Sequence, residues 1–191
     1  SKGKTSRDEV NSLIKLASQE GAIDPEEANI IRNLIALRDT AVQEIITPRT
    51  VVFTLQADQT VSDATQNEPP HFARIPVVGT SLDDTKGFVN RRQLYKMLND
   101  GHGEMTLGEM AQPLHAVPAI AKLPAVLKDF IQRREQMFLV VDEYGGSAGV
   151  VTLEDVLETV LGVEIVDESD PADDMQQLAK NLLSGPRYDK L

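Results

Sequence analysis

The sequence predicts an α+β fold of two β-α-β-β-α lobes that pack sheet to sheet, with two helices preceding them. Three observations predict this fold. Residues 1–44 carry apolar side chains at helical spacing, and later residues alternate short strand-like apolar runs with amphipathic helical stretches. The order of these elements then repeats at an offset of 62 to 65 residues. Such a repeat indicates an internal duplication, because one lobe alone is too small to bury its sheet well.

The helical lead-in, residues 1–44, has two clear start signals. Ser6 and Glu9 form a capping-box pattern, in which a hydroxyl and a carboxylate satisfy backbone amides at the start of a helix. Asp24 followed by Pro25 predicts the second start, with Asp as N-cap and Pro at the first helical position. No chemistry is evident here, so we expect these helices to pack against the lobes.

The first lobe is expected over residues 45–101. Its predicted elements are strands at 51–55, 72–78 and 86–89, and helices that begin near Thr60 and at Asn90. Pro48 favours extended backbone at Thr47, ahead of the first strand. The turn-forming residues at 99–103 predict the end of this lobe.

The second lobe is expected over residues 102–166 and repeats the same order. Its predicted elements are strands at 116–117, 137–142 and 147–151, and helices at 123–134 and from Thr152 to Gly162. Gly145 and Gly146 predict a hairpin turn, because the Lys-Ser/Thr pair of a phosphate-binding loop is absent. In the aligned lobes Thr47 falls on Gln112, Pro76 on Leu139, Asn90 on Thr152 and Gln93 on Asp155.

Thr152 and Asp155 stand three residues apart at the predicted start of the last helix. The simplest interpretation is a capping box, which is common at helix starts. A helix N-terminus also favours phosphate, and a carboxylate beside it can hold ribose hydroxyls. The pair alone leaves both interpretations open.

Composition excludes several classes of function. The net charge of −11 argues against nucleic-acid binding, which normally needs a basic surface. The chain has no cysteine, and its three histidines lack ligand spacing, so we expect no disulfide, thiol nucleophile or histidine metal site. No apolar run reaches membrane-spanning length, and no signal peptide is evident. Because the chain begins with Ser1, we expect it to be part of a longer protein.

Several motifs together resemble a known family. Residues 140–162 read VVDEYGGSAGVVTLEDVLETVLG, residues 46–49 read ITPR, residues 74–77 read RIPV, and an acidic VDE follows at 166–168. They resemble a tandem of cystathionine-β-synthase (CBS) domains, the nucleotide-sensing Bateman module. More narrowly, residues 8–170 resemble the cytoplasmic part of the CorC and cyclin-M-like (haemolysin-like) family linked to magnesium and cobalt transport.

The resemblance implies an adenine-nucleotide site in the cleft between the lobes. Thr152 would contact phosphate and Asp155 would hold the ribose hydroxyls, while Thr47 would line the phosphate side. Arg49 would lie near the phosphate. The base would lie against a wall formed by Phe72, Ala73, Arg74, Ile75 and Pro76. Val150 would lie opposite this wall. Aromatic and Pro side chains offer flat apolar faces, and Arg offers charge-assisted donors.

Three of these residues have plainer interpretations that the sequence leaves open. Phe72 also suits the first lobe's core, and Arg49 also suits an ordinary surface position. Arg74 could instead pair with one of the many carboxylates of this acidic chain.

The resemblance also implies a regulatory module and not an enzyme. It would sense ATP, ADP or AMP, the triphosphate together with Mg²⁺, for a CorC-like magnesium and cobalt transport (efflux) protein. We expect a homodimer through the CBS domains, with 156–161 and 94–98 as candidate surfaces, on the cytoplasmic side of the inner membrane. The membrane transport domain would lie outside this chain. A dimerisation scaffold with a vestigial nucleotide site is the alternative; ATP hydrolysis is less favoured, because no Walker motif is evident.

The first lobe departs from the motif of the second. Asn90 and Gln93 stand where the second lobe has Thr152 and Asp155, so the helix is still capped but the carboxylate is missing. Gln112 and Met137 are expected to face this cleft in place of Thr47 and Arg74. We therefore expect one nucleotide per chain and not two.

An acidic linker and C-terminal tail are expected over residues 167–191. The run 167–174 holds clustered carboxylates, which can bind hard cations such as Mg²⁺. Such a run is more often a solvated linker, and we interpret it so.

Overall fold

The computed structural model describes residues 6–66 and 70–162, and these form an α+β fold with two separate sheets, as predicted. The α-helices of the described residues are Arg7–Gln19 (α1), Pro25–Leu37 (α2), Val61–Gln66 (α3), Arg91–Asn99 (α4), Leu107–Met110 (α5), Leu123–Arg133 (α6) and Leu153–Leu161 (α7). The strands are Thr47–Pro48 (β1), Leu55–Gln56 (β2), Arg74–Val78 (β3), Thr85–Asn90 (β4), Ala116–Pro118 (β5), Met137–Val141 (β6) and Ser147–Thr152 (β7). Short 3₁₀ helices occur at Val42–Glu44 and Leu82–Asp84. The acidic linker and tail expected at 167–191 lie outside the described residues.

The lead-in helices α1 and α2 begin where their capping signals predict. Ser6 and Glu9 form a reciprocal capping box at α1, and Asp24 and Glu27 form another at α2. Helix α2 packs against α7, and the Asn33 side chain donates a hydrogen bond of 3.1 Å to the Val160 carbonyl. The lead-in is therefore docked on the second lobe, beside its last helix.

The first lobe contains the sheet with strand order β2-β3-β4, in which β2 and β3 are parallel and β3 and β4 are antiparallel. Strand β3 places Ile75 and Val77 in a closed core, and β4 adds Val89. Helices α3 and α4 cover this core with Val61, Ala64 and Leu94. The burial of these apolar side chains is the main force that holds the lobe together.

The second lobe contains the sheet with strand order β1-β7-β6-β5. Strands β6 and β7 form the hairpin that the Gly145-Gly146 turn predicts, and the Asp142 amide donates to the Gly146 carbonyl at 2.8 Å. The core of this lobe includes Phe130 on α6 and Phe138 on β6, whose rings stack with centroids 4.1 Å apart. Helix α7 closes the core with Val156.

The segment that opens each lobe pairs with the sheet of the other lobe. Strand β1 opens the first lobe, yet it pairs with β7 of the second, with Thr47 opposite Val150. At the equivalent place Gln112 forms a bridge with Phe88 of β4, through hydrogen bonds of 2.8 and 2.9 Å. The exchange extends to the cores, because Val42 packs in the second lobe and Leu107 in the first. The two lobes are thus linked through their backbones.

The first strand differs from the prediction. Residues 51–54 lie outside any strand, and β2 begins only at Leu55. The reason is that Thr47 and Pro48 already pair with the second sheet, after which the chain turns. The Val51 amide donates to the Pro48 carbonyl at 3.0 Å in this turn. The exchange of β1 therefore interrupts the continuous strand that the apolar run at 51–55 indicates.

Candidate functional site

The head of α7 is a complete capping box, as the spacing of Thr152 and Asp155 predicts. The Asp155 amide donates to Thr152 Oγ1 at 3.2 Å, and the Thr152 amide donates to Asp155 Oδ2 at 2.6 Å. The Asp155 carboxylate is held at this helix start with only 7% of the residue exposed. Glu154 places a second acid in the same helical turn. The helix dipole stabilises both carboxylates here.

Four of the predicted site residues come together around this helix head. Strand β7 carries Val150 and ends at Thr152, and β1 places Thr47 directly opposite Val150. Thr47 and Val150 are both buried, with 3% and 1% of their surface exposed. The exchange of β1 into the second sheet is therefore what brings Thr47 to the strand that leads into α7.

The head of α4 has the same position in the first lobe and a different chemistry. Asn90 Oδ1 accepts a hydrogen bond of 2.9 Å from the Arg92 amide. The Gln93 Oε1 accepts one of 3.0 Å from the Gln112 side chain. The first turn of this helix has no acid. A capped helix head without a carboxylate is what the sequence predicts for the first lobe.

A cavity of about 580 Å³ opens at the α4 head. As predicted, Gln112 and Met137 face the cleft that Asn90 and Gln93 head. Its ionisable lining residues are Arg74, Arg92, His115, Arg134 and Glu135. Glu135 lies 2.6 Å from His115, measured from Oε1 to Nδ1. We refer to this space as the α4 cavity.

The strand register of the two sheets shows that the backbone beside the α4 head matches the backbone beside the α7 head. Arg74 pairs with Asn90 across β3 and β4, and Met137 pairs with Thr152 across β6 and β7. Residues 134–137, which lead into β6, line the α4 cavity. The duplication maps them onto 71–74, which lead into β3. The predicted wall around the base starts in this segment.

The wall residues themselves belong to the first lobe. Phe72 is half-buried and packs against that lobe's core, with its ring centroid 5.8 Å from that of Phe53. Ile75 is fully buried in the same core, and Pro76 beside it is buried too. The Ala73 carbonyl accepts a hydrogen bond from the Arg91 amide. The contacts of Phe72 in this structure are therefore those of a core residue.

Arg74 occupies a different place from the one that the sequence predicts. The aligned lobes assign it to the Thr152 cleft and assign Met137 to the Asn90 cleft, whereas both residues line the α4 cavity. The physical reason is the antiparallel pairing of β3 with β4, which sets Arg74 directly beside Asn90. Arg74 therefore contributes positive charge to the α4 cavity.

Arg49 lies at the junction between the lobes. Its guanidinium pairs with Asp83 at 2.9 Å, and its amide donates to the Ala148 carbonyl of β7. The Ser147 amide also donates to Asp83, at 2.7 Å. This hydrogen bond, followed by the bond from Arg49, lowers the pKa of Asp83 from its ordinary value of 3.8. Asp83 of the first lobe thus joins Arg49 to the start of β7.

Sequence reasoning missed several charged residues that the structure brings together. Arg92 could have been found, because its place in the first turn of α4 matches that of Glu154 in α7. Arg134 gives no such signal, since it reaches the cavity from the end of α6 through a left-handed backbone conformation. The Asp83 contact depends on how the lobes dock and is likewise invisible in the sequence.

The described residues contain neither a metal-binding cluster nor a membrane-spanning helix. Within residues 6–66 and 70–162, no three His, Asp or Glu side chains are grouped in a way that could hold a metal ion. Over the same residues, each helix is too short or too polar to cross a membrane.

Comparisons with known proteins place the chain among CBS-domain proteins. The CBS domain family matches residues 104–162. A UPF0053 protein of Synechocystis is 35% identical over 178 residues, which are 92% of this chain and 51% of that protein. The magnesium and cobalt efflux protein CorC of Escherichia coli is 30% identical over 179 residues, 92% of this chain and 61% of CorC. The chain thus spans little more than half the length of these relatives.

Solved structures share the fold over 64 to 86% of this chain. The CBS domain of a bacterial CNNM/CorC family Mg²⁺ transporter is 32% identical, with a TM-score of 0.76. The match covers 86% of this chain and 100% of that structure. A structure of such a domain in complex with ATP is 32% identical, with a TM-score of 0.68, and covers 74% of this chain and all of its own. A CBS-domain pair from Klebsiella pneumoniae with bound AMP is 27% identical, with a TM-score of 0.57 over 64% of this chain and 99% of its own.

Proposed function

The chain belongs to the CBS domains of the CNNM/CorC family of Mg²⁺ transporters, and on that premise we propose that it binds an adenine nucleotide as a regulatory module. The nucleotide would occupy the cleft at the head of α7 and report ATP, ADP or AMP to a transport domain elsewhere in the protein. Two similar CBS structures hold ATP and AMP, which supports an adenine nucleotide as the ligand. The transported ions would be magnesium and cobalt, as the name of the CorC relative states.

The observation that carries this proposal is the group formed by Thr47, Thr152 and Asp155. A hydroxyl and a carboxylate meet there at a helix N-terminus, next to a buried Thr from the other lobe. Helix N-termini favour phosphate because their amides and dipole are oriented toward it. We therefore place the phosphate near Thr152 and Thr47, and the ribose at Asp155.

The capping box is compatible with a ribose contact at Asp155. An ionised carboxylate offers about four acceptor positions, so the hydrogen bond from the Thr152 amide does not by itself exclude a further donor. A ribose hydroxyl would be such a donor. The same carboxylate then caps the helix and recognises the sugar.

The base would lie against the segment that leads into β3. The equivalent segment of the second lobe, 134–137, lines the α4 cavity, and this supports a matching place for Phe72 and Ala73 at the Thr152 cleft. Phe72 and Ala73 would form the exposed edge of the wall, whereas Arg74 lines the α4 cavity. Ile75, Pro76 and Val150 are buried and would support it from beneath.

A triphosphate would bind as its Mg²⁺ complex. Glu154 and Asp155 are both acids in the first turn of α7, and the chain carries a net charge of −11. Bare ATP would meet like charge at close range, whereas Mg²⁺ halves the charge of the ligand. AMP carries less charge and should depend less on the metal.

Calorimetric titration of the chain with ATP, ADP and AMP tests the proposal. We expect binding without turnover, and Asp155→Ala should weaken it at least tenfold, because charge-assisted hydrogen bonds are worth roughly 1.5–3 kcal/mol. Since Asp155→Ala also removes a cap, Asp155→Asn serves as a companion that keeps an acceptor for the Thr152 amide. Gln93→Ala is the matched control at the α4 head and should leave affinity unchanged.

Three results would contradict the proposal. Equal affinity in the parent and both Asp155 variants would remove the ribose assignment. Steady release of phosphate from ATP would show an enzyme instead of a binding module. Absence of nucleotide binding, with a stable dimer, would favour the alternative of a scaffold with a vestigial site.

We also propose that the module forms a homodimer on the cytoplasmic side of the inner membrane. Parts of the expected surfaces are exposed, namely Tyr95 of α4 and Leu157 and Leu161 of α7, while Leu94 and Val156 are buried in the cores. Light scattering at tens of micromolar chain should give twice the mass of one chain. A monomer mass would contradict the dimer without affecting the nucleotide site.

A further inference from the structure

The α4 cavity collects positive charge in a chain that is strongly acidic overall. Three arginines, Arg74, Arg92 and Arg134, line one space of about 580 Å³. The whole chain has 30 acidic and only 19 basic residues. Among the described residues the ion pairs are made by other basic groups, so these three arginines carry no carboxylate partner.

The acids around the cavity do not neutralise it. Glu135 is the one carboxylate in its lining, and this group lies within 2.6 Å of His115. The first turn of α4 has no acid, whereas the first turn of α7 has two. Guanidinium groups form charge-assisted, often bidentate, hydrogen bonds with phosphate oxygens. The chemistry of the lining therefore selects for an anion.

The lining lacks the group that would recognise a ribose. Gln93 stands in place of the carboxylate, and its amide oxygen already accepts a hydrogen bond from Gln112. Removing the carboxylate weakens the contact with a sugar, and it also removes a charge that would repel phosphate. The same substitution that impairs nucleotide recognition thus favours a ligand whose recognised part is phosphate alone.

We propose that the α4 cavity binds a compact polyphosphate anion through Arg74, Arg92 and Arg134, separately from the nucleotide at the α7 head. The cavity is large enough for three linked phosphates with water between them and the walls. Long-range attraction cannot produce such binding, because the net charge of −11 repels the ligand. Binding therefore depends on these local arginines.

Calorimetry with inorganic triphosphate, on the full chain saturated with AMP, tests this site. Arg92→Gln and Arg134→Asn each remove one cationic group, and Asn suits position 134 because its backbone is left-handed, with φ of 56°. Each variant should weaken triphosphate binding about tenfold, as expected for one charge-assisted contact. The matched control is Arg133→Gln, which removes the same charge one residue away from the lining and should leave affinity unchanged.

Three outcomes decide the proposal. No binding to the parent at millimolar triphosphate would overturn it, and so would an equal loss in the Arg133→Gln control. ATP in place of triphosphate should bind this cavity with the same affinity, and tenfold tighter binding would show nucleoside recognition and overturn the stated ligand class. Asp155→Ala should leave triphosphate affinity unchanged, so a failure of the nucleotide site is distinguishable from a failure of this one.

Discussion

The heads of α7 and α4 occupy equivalent places in two lobes and carry opposite charge. Each head follows an antiparallel strand pair of the same register, and each lies beside a segment received from the other lobe. Yet the first turn of α7 holds Glu154 and Asp155, and the first turn of α4 holds Arg91 and Arg92. The difference teaches that the duplicated backbone sets where a ligand can lie. A few side chains at the helix start then decide which ligand it is.

The backbone part of this comparison depends on two glycines. A Cβ atom at Gly149 would lie 2.0 Å from the Thr47 carbonyl oxygen, and one at Gly87 would lie 2.3 Å from the Gln112 carbonyl oxygen. Both contacts are with backbone, which cannot move away without losing the exchanged pairing. Gly is needed at these two places because a received segment approaches the sheet closely.

The largest expected effect is that of Gly149→Ala, which should lower the free energy of unfolding by about 3–4 kcal/mol through the clash with β1. Gly87→Ala should destabilise to a similar degree, because its clash is with Gln112 in the same kind of position. Urea unfolding measures both. Only Gly149→Ala should also weaken AMP binding, because only it displaces Thr47. Equal loss of AMP affinity in the two variants would show that the clefts are not independent.

Much of the fold follows from the sequence, because local signals dominate there. The capping boxes at α1, α2 and α7 occur as predicted, since each depends on two residues within one helical turn. The Gly145-Gly146 hairpin follows for the same reason. The exchange of β1 is different, because its partner, β7, is about a hundred residues further along the chain. An apolar run at 51–55 carries no information about such a partner.

The same distinction between local signals and distant partners holds for the candidate site. Thr152, Asp155, Asn90 and Gln93 are identified correctly as helix heads, because the motif lies in consecutive residues. Arg74 is assigned to one cleft by alignment and lies in the other, since its place depends on the pairing of β3 with β4. The ion pair of Arg49 with Asp83 depends on lobe docking. Local sequence patterns therefore do not predict the positions of residues that depend on tertiary contacts.

The second prediction concerns stoichiometry, and AMP should bind at one site per chain. The α4 head lacks the carboxylate, and Gln112 stands where the other cleft has Thr47. Together these changes should weaken AMP there by a hundredfold or more, roughly 3 kcal/mol even with partial additivity. The double variant Asn90→Thr with Gln93→Asp restores the motif of α7. It should gain a second, weaker AMP site in a calorimetric titration.

The control for the second prediction is the single variant Asn90→Thr. It keeps a good helix cap without adding a carboxylate, so it should remain at one AMP per chain. A parent chain that binds two AMP molecules with similar affinity would show that the missing carboxylate does not matter. The side-chain difference between the two heads would then have no effect on AMP binding, and only their shared backbone would matter.

The third prediction concerns Mg²⁺, and removing the metal with EDTA should weaken ATP binding about tenfold at low salt. The reason is repulsion between bare ATP and the two acids of the α7 head, which Mg²⁺ reduces. AMP affinity should change little in the same experiment. Glu154→Gln removes one of the acids and should reduce the dependence on Mg²⁺. ATP affinity that is unchanged by EDTA at low salt would contradict this electrostatic account.

The smallest expected effect concerns the lobe junction beside β7, where Asp83 accepts hydrogen bonds from Ser147 and Arg49. At the equivalent place of the second lobe, the hairpin turn leaves Tyr144 90% exposed. Asp83→Asn keeps the size of the side chain and removes its charge, so it should lower the melting temperature slightly at neutral pH. The control Asp84→Asn alters an acid that pairs with Lys86 within the first lobe.

The dependence on pH gives the junction its specific test. The folded chain holds the pKa of Asp83 below 3.8, chiefly through the Ser147 amide, so folding favours the ionised form. The stability that it adds is therefore fully present above about pH 5, and it is lost as pH falls from the unfolded value through the lower folded one. The melting temperatures of parent and Asp83→Asn should differ by a constant amount near neutral pH and converge below about pH 4. A difference that persists unchanged into acid would show that the ionised carboxylate does not link the lobes.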